Sequence, residues 1–459
     1  MRILVIGDGK VGHSLAENLA IEGHDVVIID QSYQVLQKSI DMLDVMCIKG
    51  NGANIHTLME ADPKNVDVII AATASDEINM LCSMLAKRLG AKYSIARIRD
   101  PQYNESLPLI QSELSIDMTI NPERATALEI SRLLRYPFAS NIESFAKGTV
   151  EMVEFRAMAN DPVVGVPLKQ LPHRKQKAAQ VLYCAIERDN EVIIPNGDTI
   201  IAENDHVYVA ADMLSITSYF KYLGRNHMPV RNVMLLGGGR ISYYLSRAIV
   251  PLGIAVTIIE IKKDKAEALS EALPNVTIIC GDGTNRDVLE QEGLAQMDAF
   301  VALSDRDEEN MLAGLYAAKL GVGKVIVKNA RSGYQDVIDM LKLDSVVCPK
   351  NITCDTILRY VRARSNTRGS SVEKIFRLLS GKAEALEFIA KANSPYIGIP
   401  LKDMTLRKDT LIAVIVRNGR VIVPFGDDHI EAGDDVIVIA KGGLVVDLVE
   451  ILHAKGHHA

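Results

Sequence analysis

The sequence predicts an α/β protein with two doubly wound parallel-sheet domains, each followed by a small α+β module. Two observations support this fold class. An apolar run enters a glycine-rich turn at the start of the chain, and the same arrangement returns near its middle. After each turn, apolar runs of strand length alternate with amphipathic segments, which is the pattern of a parallel sheet covered by helices on both faces.

The first turn reads Gly-Asp-Gly-Lys-Val-Gly from Gly7 to Gly12. In a dinucleotide-binding turn of the Rossmann type, the first glycine allows the bend, the second lets a phosphate approach the backbone, and the third lets the helix pack on the strand. Asp30 ends the next apolar run, 21 residues after Gly9, where an acceptor for ribose hydroxyls is expected. A surface aspartate at a strand end is the simpler alternative.

The second turn runs from Gly237 to Ser242, and Glu260 again follows its middle glycine, Gly239, by 21 residues. The segment Asp-Glu-Ile-Asn-Met-Leu at 76–81 returns as Asp-Glu-Glu-Asn-Met-Leu at 307–312, a displacement of 231. Such a repeat indicates an internal duplication. The second turn differs in having serine in place of the third glycine and arginine in place of lysine.

The small modules repeat as well. Pro162, Gly165 and Pro167 return 233 residues later as Pro395, Gly398 and Pro400. The predicted organisation is a Rossmann-like domain at 1–121, a crossover helix at 122–145, a small module at 146–228, a second Rossmann-like domain at 229–349, a second crossover helix at 350–376 and a second module at 377–459.

Ligands of doubly wound sheets bind beyond the carboxyl ends of the strands. In the first domain we predict strands near 2–6, 25–29, 45–48, 66–71, 93–98 and 116–120. The strand ends then offer Asn51, Thr73 and the run from Arg97 to Arg99 as ligand contacts, and arginine suits phosphate oxygens. Three residues at these strand ends also have a structural alternative to binding. Asn51 begins an Asn-Gly turn signal, and Asp76 can be a helix N-cap or first-turn acid. Arg97 can form a surface salt bridge.

The first crossover helix carries the apolar residues Leu128, Ile130, Leu133 and Leu134 among charged ones. An amphipathic helix needs a partner surface. Another subunit and the helix's own domain remain equal alternatives for that surface.

Composition excludes several function classes. The chain has 459 residues, 48% of them hydrophobic, and a net charge of −7, which disfavours binding to nucleic-acid backbones. Its six cysteines form no Cys-x-x-Cys pair, so we expect a reducing compartment.

No apolar run approaches the ~18 residues of a membrane span, and we expect no signal peptide. The histidines of the loop at 172–177 and of the tail at 452–459 suit solvated segments better than catalysis or a metal site.

The chain resembles the TrkA family, the cytoplasmic regulatory subunits of Trk-type potassium uptake systems, which contain tandem RCK domains. The resemblance covers essentially the whole chain and rests on the turn with Asp30, the repeated helix motif at 76–81 and 307–312, Ala96-Arg97-Ile98 and the repeated small modules. It implies that the modules are TrkA-C domains, that the ligands are NAD or NADH and also ATP or ADP, and that subunits form a homo-oligomeric ring, from homodimer to homotetramer, beneath a membrane potassium-translocating subunit of the TrkH or TrkG type.

The resemblance also assigns two sets of binding residues. The first set is Gly7, Asp8, Gly9, Lys10, Val11, Gly12, Asp30, Asn51, Thr73 and Arg97. The second set is Gly237, Gly239, Arg240, Ile241, Glu260, Asp282 and Ser304, and Ser242 weakens the expectation that this second site is occupied.

We therefore expect a nucleotide-sensing regulatory subunit, peripheral on the inner face of the membrane, and not an enzyme. A nicotinamide-dependent dehydrogenase is the main alternative, but it needs a substrate domain with a general acid or base. His13 is the only histidine beside the first turn, and we interpret it as a packing residue. A redox-sensing DNA regulator lacks a basic patch and an obvious helix-turn-helix.

Overall fold

The computed structural model describes residues 1–171, 180–189, 191–225, 230–330, 343, 345–365, 372–378, 382–442, 445 and 447–451. The histidines at 173 and in the tail from 452 onward lie outside these residues. The chain divides into two compact units. One contains residues 1–131 and 231–361, and the other contains residues 132–230 and 362–459.

The first parallel-sheet domain has six strands in the order β3-β2-β1-β4-β5-β6, and all neighbouring pairs are parallel. Its elements are β1 Arg2–Ile6, α1 Lys10–Ile21, β2 Asp25–Asp30, α2 Tyr33–Met42, β3 Met46–Lys49, α3 Ile55–Glu60, β4 Val68–Ala71, α4 Asp76–Leu89, β5 Tyr93–Arg97, α5 Leu107–Glu113 and β6 Met118–Ile120. Because the strand order reverses between β1 and β4, the crevice lies beyond the carboxyl ends of these two strands.

Burial on both faces explains why the strands read as continuous apolar runs. Leu15 of α1 and Leu36 of α2 pack against one face of the sheet, together with Val5. Leu58 of α3 and Cys82 of α4 pack against the other face. The predicted doubly wound fold of this domain is confirmed.

Helix α6, Pro122–Arg135, leads into the first small module, whose sheet has the order β10-β9-β11-β8-β7 with antiparallel neighbours. The elements of the module are β7 Asn141–Phe145, β8 Val150–Arg156, β9 Leu182–Arg188, β10 Glu191–Ile193, β11 His206–Ala211 and α7 Met213–Tyr222. The predicted crossover helix at 122–145 is therefore too long, because residues 141–145 form a strand. The helix stops early because Tyr136 precedes Pro137, and the residue before proline disfavours helical dihedral angles.

The second parallel-sheet domain repeats the first, with the order β14-β13-β12-β15-β16-β17. Its elements are β12 Asn232–Leu236, α8 Arg240–Ile249, β13 Ala255–Glu260, α9 Lys263–Ala272, β14 Thr277–Cys280, α10 Arg286–Gln291, β15 Ala299–Ala302, α11 Asp307–Lys319, β16 Lys324–Lys328 and β17 Ser345–Val347. Strand register also repeats, since Val233 pairs with Val256 just as Ile3 pairs with Val26.

The second module has the same antiparallel topology, β18-β19-β22-β20-β21. Helix α12, Pro349–Ser365, leads into this module, whose strands are β18 Val372–Leu378, β19 Ala383–Ile389, β20 Thr410–Arg417, β21 Arg420–Ile422 and β22 Asp435–Lys441. The two modules share one apolar core, in which Phe145 and Cys184 of the first pack with Val414 and Ile437 of the second.

Helix α12 packs on the sheet of the other half. Its residues Cys354, Ile357, Leu358 and Val361 are buried in the core formed by the first domain's sheet and by α1 and α2. For α6 the sequence left the helix's own domain and another subunit open, and α12 shows a third arrangement, packing on the other half of the same chain. At the start of α6, Asn121 donates a hydrogen bond to Tyr244 of the second domain, 3.0 Å away.

We predict that Leu358→Ala destabilises the first domain, although Leu358 belongs to the second half. Removing a fully enclosed leucine side chain typically costs about 2–5 kcal/mol. The free energy of opening of the β1 amides, measured by hydrogen exchange, should fall by about that amount. Leu312→Ala on α11 is the control, because its side chain is 68% exposed and its truncation should change stability by less than about 0.5 kcal/mol. Unchanged protection of β1 in Leu358→Ala contradicts the assignment.

Candidate functional site

The glycines of the first turn have three different surroundings. Gly7 has a φ of +98°, and a Cβ atom there would lie 3.0 Å from the backbone of Thr73. A Cβ atom on Gly12 would lie 1.8 Å from the carbonyl oxygen of Gly7. Around Gly9 no atom lies within 4 Å of the Cβ position. The outer glycines are therefore required by the fold, whereas the middle one leaves its backbone open to a ligand.

Asp30 is fixed at the end of β2 by the turn itself. Its Oδ2 accepts a hydrogen bond from the N–H of Asp8, and its Oδ1 accepts one from the N–H of Ser32, both at 2.8 Å. In the second half, Glu260 accepts from the N–H groups of Gly238 and Lys262 at 2.8 and 2.9 Å. Both predicted acids therefore lie directly beside their turns. Glu260 is buried, whereas Asp30 is half-buried and more accessible to a ribose.

The side chain of Asp8, predicted as a binding residue, lies beneath the turn. Its Oδ2 accepts a hydrogen bond from Ser39 at 2.7 Å, and Ser39 also bonds Nδ1 of His13 at 2.7 Å. Burial raises the pKa of the Asp8 carboxyl, while the Ser39 and His13 contacts oppose that rise. On the side of the turn that carries Asp30, Asp8 contributes only its backbone N–H, which bonds that carboxylate.

Two other predicted residues form local turns. Asn51 accepts a hydrogen bond from the N–H of Ala53 at 2.9 Å, and Asp282 accepts from the N–H and hydroxyl of Thr284 at 2.9 and 2.7 Å. The Thr284 bonds lower the pKa of Asp282. Both side chains are exposed on loops. Asn51 therefore has the turn-forming role that the Asn-Gly signal offered as an alternative to binding, and Asp282 has the same role in the second half.

A buried asparagine ties Thr73 to the end of β5. The N–H and hydroxyl of Thr73 donate to Oδ1 of Asn79 at 2.8 and 2.7 Å, and Nδ2 of Asn79 donates to the carbonyl of Arg97 at 2.9 Å. Ser304, Asn310 and Lys328 repeat this arrangement in the second half, at 2.9 and 3.1 Å. The sequence analysis missed both asparagines as site-forming residues, although the repeated motif at 76–81 and 307–312 contains them.

Asp76 holds the next residues of the same strand end. Its Oδ2 accepts hydrogen bonds from the N–H groups of Arg99 and Asp100, both at 2.8 Å. The helix cap is Ser75, which accepts from the N–H of Ile78 at 3.2 Å. Asp76 is therefore a first-turn acid, which agrees with one of its two structural alternatives, and it fixes the backbone that carries Arg99.

A cleft of about 170 Å³ opens at this edge of the first sheet, within the unit that contains both parallel-sheet domains. Four of its lining side chains are cationic and one is a carboxylate. The lining residues are Lys10, Val11, Arg97, Arg99, Pro122, Glu123, Ala330, Pro349 and Lys350. Such a cleft suits an anion with several phosphate oxygens, because guanidinium groups bind phosphate in a bidentate manner.

The two arginines are held in the cleft with unused hydrogen-bonding capacity. The Nε atoms of Arg97 and Arg99 are buried and make no hydrogen bond within the described residues. Burial, followed by the charge of Arg99, lowers the pKa of Arg97, but a guanidinium remains charged at neutral pH. Arg99 also donates to the carbonyl of Ala74 at 2.5 Å and lies 3.6 Å from Asp76.

The second half provides fewer cations at the matching positions. The repeat displacement of 231 places Lys328 at the position of Arg97 and Ala330 at that of Arg99. Lys328 is buried and lies 3.4 Å from Asp305. Arg240, at the position of Lys10, lies 4.0 Å from Asp100 of the first domain. Lys328 and Lys350 were missed in the sequence, although the displacement could have identified Lys328.

The remaining turn of the second half keeps its shape with serine in place of glycine. Ser242 is fully buried and its hydroxyl donates to the carbonyl of Gly237 at 2.5 Å. Ile241 is buried at the position of Val11, and Gly239 has no atom within 4 Å of its Cβ position. The second turn therefore also leaves its middle glycine open.

Within the described ranges, no group of three or more His, Cys, Asp and Glu side chains could hold a metal ion. A search of the same residues finds no helix long and apolar enough to cross a membrane.

We predict that alanine destabilises the first domain at one glycine of the first turn and not at another. Gly12→Ala should destabilise the first domain by about 1–3 kcal/mol, because the added methyl group collides with backbone. Gly9→Ala should leave stability unchanged, since its φ of −70° suits alanine and its surroundings are open. Thermal denaturation of the full chain compares the two. Equal stability of both variants contradicts the structural distinction.

Family models match the chain in four segments. The TrkA-N domain matches residues 3–122 and 233–349, and the TrkA-C domain matches residues 152–224 and 385–452. Among solved structures, the GsuK RCK domain superposes with a TM-score of 0.62 at 15% identity and covers 96% of this chain and 92% of that one. The GsuK channel bound to NAD also has a TM-score of 0.62, at 16% identity, over 96% of this chain and 76% of that one. At such identities the likeness shows the fold.

Curated relatives match over nearly their full length. The Trk system potassium uptake protein TrkA homolog 2 of Methanosarcina mazei is 32% identical over 454 residues, which cover 97% of this chain and 98% of that protein. The Trk system potassium uptake protein TrkA of Vibrio alginolyticus is 33% identical over 462 residues, with 98% of each chain covered. The chain therefore belongs to the TrkA family of Trk system potassium uptake proteins.

Proposed function

We propose that this chain is a cytoplasmic nucleotide-sensing subunit that assembles beneath a membrane potassium-translocating subunit and gates potassium uptake. The observation that carries the proposal is the cationic cleft beside an open glycine turn and its acid, within a unit that contains two such turns. The relatives named as Trk potassium uptake proteins support the transport role, and the GsuK channel bound to NAD supports a nucleotide ligand.

In the first site, the open backbone at Gly9 and the start of α1 would receive a phosphate. Asp30 would accept hydrogen bonds from a ribose, and Lys10, Arg97 and Arg99 would bind further phosphate oxygens. The proposed ligands are NAD or NADH and also ATP or ADP. The other proposed contacts are Gly7, Asp8, Val11, Gly12, Asn51 and Thr73, with Asp8 contributing its backbone.

The second site would be formed by the turn from Gly237 to Ile241, with Glu260, Asp282 and Ser304. We propose that it binds phosphate more weakly than the first site. Arg99 has no cationic counterpart there, and Lys328 already lies near Asp305. Burial of Glu260 beneath its turn also reduces its access to a ribose.

Gating requires that a nucleotide bind two arrangements of the protein with different affinities. We propose a homo-oligomeric ring, from a dimer to a tetramer of these tandem chains, whose arrangement is passed to a TrkH- or TrkG-like partner. Coupling of about 1–3 kcal/mol is typical of such switches.

The dehydrogenase alternative requires a proton-transfer group near the nicotinamide. His13, the histidine beside the turn, is instead bonded to Ser39 beneath it. NADH turnover in the presence of hydroxy acids would revive this alternative.

Calorimetric titration of the full chain with NADH, NAD, ATP and ADP tests the proposal. We expect Asp30→Ala to weaken binding at the first site about tenfold or more, because hydrogen bonds to a charged group contribute about 1.5–3 kcal/mol. Glu260→Ala should affect only the second site. Asp25→Ala is the matched control, because this carboxylate lies exposed at the opposite end of β2.

Binding that persists in Asp25→Ala and falls in Asp30→Ala supports the assignment of the site. If none of the four nucleotides binds, the chain is not a nucleotide sensor. If all three variants bind as the unsubstituted chain does, nucleotides bind elsewhere.

A further inference from the structure

Tyr244 of the second half inserts its hydroxyl among polar groups of the first half. It lies on α8, directly after the second glycine turn, and only 7% of it is exposed. The hydroxyl donates to the carbonyl of Arg99 at 3.1 Å and accepts from the amide of Asn121 at 3.0 Å. Asn121 also donates to the same carbonyl, at 3.1 Å. A second-half side chain thus holds the backbone of Arg99.

The other side of this peptide segment is held from within the first domain. Asp76 accepts from the N–H groups of Arg99 and Asp100, so both the N–H and the carbonyl of Arg99 are fixed. With its backbone fixed on both sides, the arginine side chain enters the cleft in a defined direction. Among these contacts, the Tyr244 bond is the one that depends on the second domain.

The positions of the repeat that correspond to this contact carry different residues. At a displacement of 230, Tyr244 corresponds to Ser14, and at 231 Arg99 corresponds to Ala330. The second half therefore supplies the Tyr244 hydroxyl to the backbone of an arginine in the first half. At the matching positions, Ser14 has a shorter side chain with a hydroxyl, and Ala330 has only a methyl group. Arg240 approaches the same segment, 4.0 Å from Asp100.

We propose that Tyr244 is a positioning residue of the first nucleotide site, which holds Arg99 for the phosphate groups beyond the one at the glycine turn. This inference rests on the proposed nucleotide-binding function. Tyr244 would act through Arg99 and touch no ligand itself. It therefore sets how strongly the site prefers nucleoside di- and triphosphates over a monophosphate, and it makes that preference depend on the second domain.

Calorimetry with AMP, ADP and ATP on the full-length Tyr244→Phe variant tests this role. Loss of one hydrogen bond of about 0.5–1.5 kcal/mol should weaken ADP and ATP binding about two- to twelvefold. AMP binding should change less than twofold. Tyr243→Phe is the matched control, since this adjacent hydroxyl bonds Arg247 of its own helix at 2.9 Å, and all three affinities should be unchanged.

A double-substitution cycle separates positioning from a general structural effect. In an Arg99→Ala background, Tyr244→Phe should have no further effect on ATP affinity. Equal losses for AMP and ATP, or additive losses with Arg99→Ala, overturn the inference while leaving nucleotide binding intact. ATP affinity that is unchanged in Tyr244→Phe also overturns it. Failure of the unsubstituted chain to bind any of the three nucleotides overturns this inference, and failure to bind NAD and NADH as well overturns the proposed function.

Discussion

The packing of α12 on the first sheet is the constraint on which the rest of the site depends. Ile357, Leu358 and Val361 are almost fully buried against strands and helices that precede them by more than two hundred residues. Burial of each such side chain contributes about 1.5–3 kcal/mol. The same packing places Cys354 4.0 Å from the carbonyl of Val11 in the first turn, and so brings the start of α12, with Pro349 and Lys350, to the cleft.

Buried polar groups hold the strand ends of the same domain. Asn79 and Asp76 are buried, and each bonds backbone groups of a neighbouring strand end. Buried polar side chains are costly unless they are hydrogen-bonded, but when satisfied they hold a single geometry. Here they hold the backbone of Arg97 and Arg99, whose side chains line the cleft. The cationic site is therefore positioned by buried hydrogen bonds and not by the surface loops around it.

Local sequence pattern was enough for the sheets and the turns. Apolar periodicity and the internal repeat predicted both doubly wound domains, and spacing alone placed Asp30 and Glu260 beside their turns. Long-range packing could not be predicted, because the apolar stripe of α12 does not identify the surface that it covers. The direction in which a side chain points could not be predicted either. Nothing local distinguishes Asp8, which points beneath the turn, from Lys10, which lines the cleft. The position of Tyr244 could not be predicted either, because it depends on a contact between two domains.

We propose that the duplicated halves have different roles, in which the first carries the stronger phosphate site and the second helps to position it. Hydrogen exchange of the full-length Glu260→Ala variant, with and without saturating ATP, tests this most directly because its second site is impaired. We expect slower exchange in the first turn and around Arg99, and also in α8, which carries Tyr244. Slower exchange confined to the first domain would contradict the claim that the second half participates in the first site.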